Sequence, residues 1–172
     1  MKGKDRDGSS IAMPIVGIGY YWNDFQVGDQ FRTLGRTITE SDLVAFISAT
    51  GMVEEMFTNI DYIAADSRIG SRPVPGSMVY CFSEGLLMQS TMQRTGMAFL
   101  EADLRIHAPT TVGDTIHVEC EIVEARGSAS KPDRGLLRTH CKVYNQHGVL
   151  VATYNPLRMV KTRPEVATGE AK

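Results

Sequence analysis

Among residues that could do chemistry, Glu84 comes first, because the stretch around it, GSMVYCFSEGLLMQSTMQRTG from Gly76 to Gly96, is apolar on more than one face. A carboxylate in the middle of such a helix needs a partner or a raised pKa. Two uses follow. It is either a working acid or base, or a carboxylate paired with an arginine or a backbone donor where the helix meets a subunit interface. Tyr80, one turn earlier, is a pocket wall or plain core. Just upstream, Pro73 and Pro75 forbid helix, so Gly76 and Ser77 open the helix and present unpaired backbone N–H groups at the positive end of its dipole. Such an end suits a carbonyl oxygen as it gains negative charge.

The remaining reactive side chains form no recognisable set. His107, His117, His140 and His147 fall on the charged side of strands or in a turn, at spacings that match no metal-binding motif. Cys81, Cys120 and Cys141 are odd in number and far apart, which argues against a disulfide framework or a zinc knuckle and fits a reducing cytoplasm. No metal or other cofactor is expected.

These residues must be positioned by elements that the pattern predicts. The 172 residues, 42% of them hydrophobic, suffice for one domain with a real core. The 18 basic and 20 acidic residues are scattered, so neither nucleic acid nor an anionic membrane is indicated as a partner. The apolar stretch 76 to 88 is too short, and too polar at Ser83, Glu84 and Gln89, to span a bilayer. Residues 1–13 are expected to form a flexible arm and 163–172 a flexible tail, with one domain over 14–162.

A strand is predicted over Phe31 to Ile38. Thr39 with Asp42 reads as an imperfect capping box for a helix ending at Gly51, and a short helix follows over Ile60 to Arg68. The long helix from Gly76 should be engulfed, with Gly96 as its C-terminal cap. Leu100, Ala102, Leu104 and Ile106 alternate with charged neighbours, as do Ile116, Val118, Cys120 and Ile122, so both runs read as half-buried strands. Two more strands, Leu136 to Tyr144 and Val149 to Val160, are joined by the hairpin loop at Asn145 to Gly148. Helices followed by an antiparallel run of strands indicate α+β, with the sheet curled about the central helix.

In this order and spacing, four segments resemble the MaoC-like branch of the hot-dog superfold, which includes the (R)-specific enoyl-CoA hydratases. They are Asp24-Phe25-Gln26-Val27-Gly28-Asp29, Thr39-Glu40-Ser41-Asp42 through Phe46 to Gly51, Arg72-Pro73-Val74-Pro75-Gly76-Ser77-Met78, and Pro109-Thr110-Thr111-Val112-Gly113-Asp114. The likeness covers about residues 22 to 161. It implies an acyl-CoA ligand, either an enoyl or a 3-hydroxyacyl thioester, whose carbonyl lies at Gly76 and Ser77. It also implies a homodimer or dimer-based oligomer, and an edge strand such as Met97 to Ala108 would expose unpaired backbone groups that a symmetric partner can satisfy.

The hydratases of that family carry G-D-x-N-P-x-H-x-D after this first helix, and its Asp and His hold the water that adds to the double bond. Here the segment reads Gly51-Met52-Val53-Glu54-Glu55-Met56-Phe57-Thr58-Asn59, with Met52 at the Asp position and Phe57 at the His position. Neither side chain moves a proton. Glu54 and Glu55 are the alternative acids, or else solvated loop carboxylates. Arg72 is a candidate for a coenzyme A phosphate, or an ordinary surface arginine. The reading is therefore a MaoC-like hydratase or dehydratase relative (a lyase, fatty acid metabolism) with a non-standard or degenerate active site. The alternatives are a non-catalytic acyl-CoA-binding subunit beside a catalytic homologue, a ligand sensor, and a thioesterase that uses Glu84.

Overall fold

The computed structural model describes residues 13–65 and 71–164. Its sheet has eight antiparallel strands. β5 (Thr115–Gly127) and β6 (Arg134–Tyr144) form the central hairpin, with Cys120 opposite Cys141. On the far side of β5 lie β1 (Gln30–Arg32) and β2 (Arg36–Thr37). Beside β6 run β7 (Leu150–Tyr154) and β8 (Leu157–Lys161), and beyond these β4 (Leu104–Ile106) and β3 (Gly96–Glu101) form the edge.

The α+β hot-dog architecture is as expected, and several local details differ. The strand predicted at 31–38 is two short pieces. Buried Thr33 turns inward between them, and its hydroxyl accepts from the Val118 amide at 3.0 Å. The last predicted strand is likewise split at Asn155-Pro156, because proline brings no amide to the ladder. Helix α4 (Gly76–Thr91) ends at Met92, so Gly96 is not its cap but the first residue of β3.

Local signals fix α1 (Glu40–Thr50). The Thr39 hydroxyl accepts from the Asp42 amide at 3.2 Å, and the Asp42 carboxylate accepts from the Thr39 amide at 2.9 Å. The Thr39 amide first, and then the Thr39 hydroxyl, which donates to the same carboxylate at 2.7 Å, hold the Asp42 carboxyl below the ordinary carboxylate value. Gly51 closes the helix at φ 72°, a conformation that glycine adopts without strain. Two short helices follow, α2 (Glu55–Thr58) and α3 (Ile60–Ala65). The rest of the helix predicted to Arg68 lies outside the described residues, as do 1–12 of the N-terminal arm and 165–172 of the tail.

Alternation on β5 and β6 sends Ile116, Val118, Cys120, Cys141 and Val143 inward, where they share a core with Met78, Val79, Leu86 and Leu87 of α4, while Ile122 and Leu137 join Val160 in a second cluster. Each such side chain contributes about 1.5–3 kcal/mol on burial. α4 is not engulfed all round. Its Cys81, Gly85, Met88 and Gln89 are exposed, and so is every residue of β3 and β4, where half-burial was predicted. The physical reason is position: β3 and β4 are the outermost strands, with no neighbour beyond them among the described residues.

Candidate functional site at the start of α4

The segment before α4 is pinned to the β4–β5 connection. The Val74 amide donates to the Thr110 carbonyl at 3.0 Å, the Val112 amide donates to the Arg72 carbonyl at 3.0 Å, and Pro73 bridges to Thr111. Pro73, Val74 and Pro75 are buried, so the first turn of α4 starts from a rigid base. Pro75 stands at the N-cap and supplies no capping side chain, leaving the Gly76 and Ser77 amides to face whatever lies ahead. Glycine is required by contact here: a Cβ at position 76 would stand 2.9 Å from Cγ1 of Ile106 on β4.

Met52 reaches this helix start. Its Sδ lies 3.4 Å from the Ser77 hydroxyl, so the position that the resemblance gave to an acid abuts the predicted cradle. Tight turns carry the chain onward, with the Glu54 amide on the Met52 carbonyl at 3.2 Å and the Phe57 amide on the Glu54 carbonyl at 2.9 Å. Phe57 packs against the main core. The two candidate acids differ. Both are exposed, but the Glu55 carboxylate accepts from Asn59 Nδ2 at 2.8 Å, and Asn59 Oδ1 in turn accepts from the amides that open α3.

Arg72 ties these parts together. Its Nη1 meets the Glu40 carboxylate at 2.6 Å and its Nη2 donates to the Phe57 carbonyl at 3.0 Å. Both terminal nitrogens of a side chain offered by sequence to a phosphate are thus engaged with α1 and α2.

Further along α4, Tyr80 packs edge-on against Tyr154, 5.1 Å between ring centroids. Burial, reinforced by the Glu84 carboxylate, pushes the Tyr80 phenol up to about 12. Glu84 is paired with Arg158 of β8, and the second terminal nitrogen of Arg158 lies 3.2 Å from the Thr139 hydroxyl. This is the arginine pairing that sequence left open; the partner itself, 74 residues away, carried no local signal.

Three of the histidines have partners of their own. His107 contacts Thr153, His140 contacts Asn155, and His117 stacks on Tyr144. Among the described residues no cluster of metal-ligating side chains occurs. Cys120 and Cys141, distant in sequence, are free thiols 3.3 Å apart across the β5–β6 pair. A recess of about 370 Å³ over β1, β5 and β6 is lined by Arg32, Glu119, Glu121 and Lys142, charges of alternating sign on a solvated outer face.

One antiparallel sheet curled on a single long helix, with that helix's N-terminus held beside a loop from α1, defines a hot-dog protein. The chain belongs to the family described as FAS1-like, dehydratase domain region, whose sequence model matches residues 25–154, and it is MaoC-like within the hot-dog group. It is 32% identical to the MaoC protein of Klebsiella aerogenes over 99 residues, 57% of this chain, and spans only 29% of that relative's length. A monoamine oxidase regulatory protein from Archaeoglobus fulgidus superposes with a TM-score of 0.72 at 25% identity, covering 85% of this chain and 97% of its own. A Mycobacterium tuberculosis protein with a double hotdog fold reaches 0.78 at 24% identity, covering 91% of this chain and 48% of its own. No described helix is long and apolar enough to cross a membrane.

Proposed function

We propose that this chain binds an acyl-CoA thioester, enoyl or 3-hydroxyacyl, with the carbonyl oxygen on the Gly76 and Ser77 amides, and that it lacks the acid–base pair for hydration. The contact of Met52 with Ser77 carries the reading: the α1–α2 loop side chain that touches the helix start is a thioether, which transfers no proton. Binding is thus retained while proton transfer is lost, as suits a non-catalytic subunit or a sensor.

Calorimetry and a hydration assay with crotonyl-CoA and longer enoyl-CoAs test this. Binding without turnover is expected, and installing Met52→Asp together with Phe57→His should raise hydration above the wild-type rate. Absence of binding to every acyl-CoA would overturn the proposal.

A second reading rests on Glu54, whose amide bonds the Met52 carbonyl and whose exposed side chain leaves the backbone two residues from the cradle contact. Wild-type turnover that is abolished by Glu54→Gln would establish it. Glu55 would have to release Asn59 to serve, and a thioesterase acting through Glu84 would have to release Arg158.

The exposed edge strand supports a symmetric dimer. Met97, Phe99, Leu100, Leu104 and Ile106 are apolar and 39–50% exposed beside unpaired backbone groups, a surface that a second copy or a catalytic homologue would cover. Light scattering on the purified chain should give a dimer; a stable monomer that binds no homologue would remove this part of the proposal.

A further inference from the structure

Two buried thiols face each other at the centre of the sheet. Cys120 on β5 and Cys141 on β6 are directly opposite in the antiparallel register, with their sulfurs 3.3 Å apart, and the thioester site uses neither. Opposed residues of an antiparallel pair send their side chains to the same face, with Cα atoms about 4.5–5.5 Å apart, inside the span that a disulfide bridges. Joining the two sulfurs therefore requires no change of register.

The surroundings distinguish one sulfur from the other. Arg158 carries only donors, and its Nη1 lies 3.2 Å from the Thr139 hydroxyl, so that oxygen accepts from Arg158. The hydroxyl proton of Thr139 is then left for its other neighbour, the Cys141 sulfur at 3.2 Å. As a thiolate, Cys141 accepts from both Thr139 and Cys120, whereas a thiolate on Cys120 has Cys141 alone among the described residues. Burial raises a thiol, but these two donors and the positive charge of Arg158 hold Cys141 below its ordinary value. Cys120, which gives its proton to Cys141 and is buried as well, is held above it.

Access selects the reagent. Cys120 is 3% exposed and Cys141 0%, so a bulky reagent meets only Cys81, the exposed thiol on α4. A buried pair needs a small oxidant, and hydrogen peroxide is close to water in size.

We propose that Cys120 and Cys141 form a peroxide-oxidisable dithiol in which Cys141 attacks and Cys120 resolves, giving a disulfide that staples β5 to β6. The Cys141 thiolate attacks one peroxide oxygen and the O–O bond breaks. The departing hydroxide takes up the proton that Cys141 released, leaving a sulfenic acid and one water. The Cys120 sulfur then attacks the sulfenic sulfur, the S–O bond breaks, and the second hydroxide leaves with the Cys120 proton as water. Two thiols and one peroxide thus become one disulfide and two waters. The cross-link spans 21 positions of the β5–β6 hairpin, so it opposes separation of the two central strands.

The test is thiol counting and peptide mapping on the whole protein. Under native conditions an aromatic disulfide reagent should titrate Cys81 alone, and after denaturation all three cysteines. Treated with hydrogen peroxide and then digested, the wild type should yield a peptide pair linked through Cys120 and Cys141 that dithiothreitol separates. In the Cys81→Ser variant, both remaining thiols should disappear with a mass loss of two hydrogens. With Cys120→Ser added, dimedone should label Cys141 as the trapped sulfenic acid, and with Cys141→Ser instead it should leave Cys120 unlabelled. Thiols that survive peroxide, over-oxidation without a link, or links made only through Cys81 would overturn the proposal. Dimedone on Cys120 would overturn the order of attack. Mapping of the wild type decides the matter even where a variant does not fold.

Discussion

The two ends of one helix face divide the chemistry between them. At the start of α4 the helix has no side-chain cap, and the Ser77 hydroxyl contacts the thioether of Met52, which does not titrate. Two turns on, Glu84, Arg158, Tyr80 and Tyr154 form a titratable cluster whose central pair is already satisfied. Residue type alone would have assigned catalysis to the second region and binding to the first. The geometry teaches the opposite caution: a charged group is available for reaction only if its partners leave it so.

The largest break in this comparison is Glu84→Ala, which strands Arg158 in the interior. It should cost about 3–5 kcal/mol in urea unfolding, whereas replacing both partners with Leu and Met should cost far less. Equal losses for the single and double variants would show that the pair is not energetically coupled.

Next comes Gly76→Val. Its methyl groups displace the half-exposed Ile106 and crowd the amides, so acyl-CoA affinity should fall about tenfold or more while stability falls by about 1 kcal/mol. Unchanged affinity would move the cradle elsewhere.

The smallest effect is alkaline. Because burial raises the Tyr80 phenol from 10.0 to about 12, the folded state holds that proton more tightly than the unfolded chain. Stability from this group is complete below pH 10.0 and is lost as pH rises toward about 12. Tyr80→Phe should remove part of that decline, and a pH profile identical to wild type would show that Tyr80 ionises freely.

Several features were readable from local rules. Thr39 with Asp42 and the glycine at 51 delimited α1, because caps act within one turn. Pro73 and Pro75 placed the start of α4 for the same kind of reason. Alternation along Ile116 to Ile122 gave the inner face of β5. By contrast, the edge position of Met97 to Ala108 was expected, but the exposure of both faces of β3 and β4 was not, since alternation of residue type alone reads as half-burial. The break at Thr33 was missed because it depends on how a second strand curves past the first, whereas the one at Asn155-Pro156 carried a local signal, since Pro156 brings no amide to the ladder.

The sequence by itself determined the order of elements, the α+β class and the start of the central helix, and it puts Met52 and Phe57 where the resemblance expects an Asp and a His. Those are properties of residue type and of short-range spacing. Only the tertiary structure decided that Met52 touches Ser77, that Arg158 neutralises Glu84, that Arg72 is spent on Glu40 and Phe57, and that Cys120 meets Cys141. These contacts join residues up to 74 positions apart, and which distant groups meet is set by the curl of the sheet around α4.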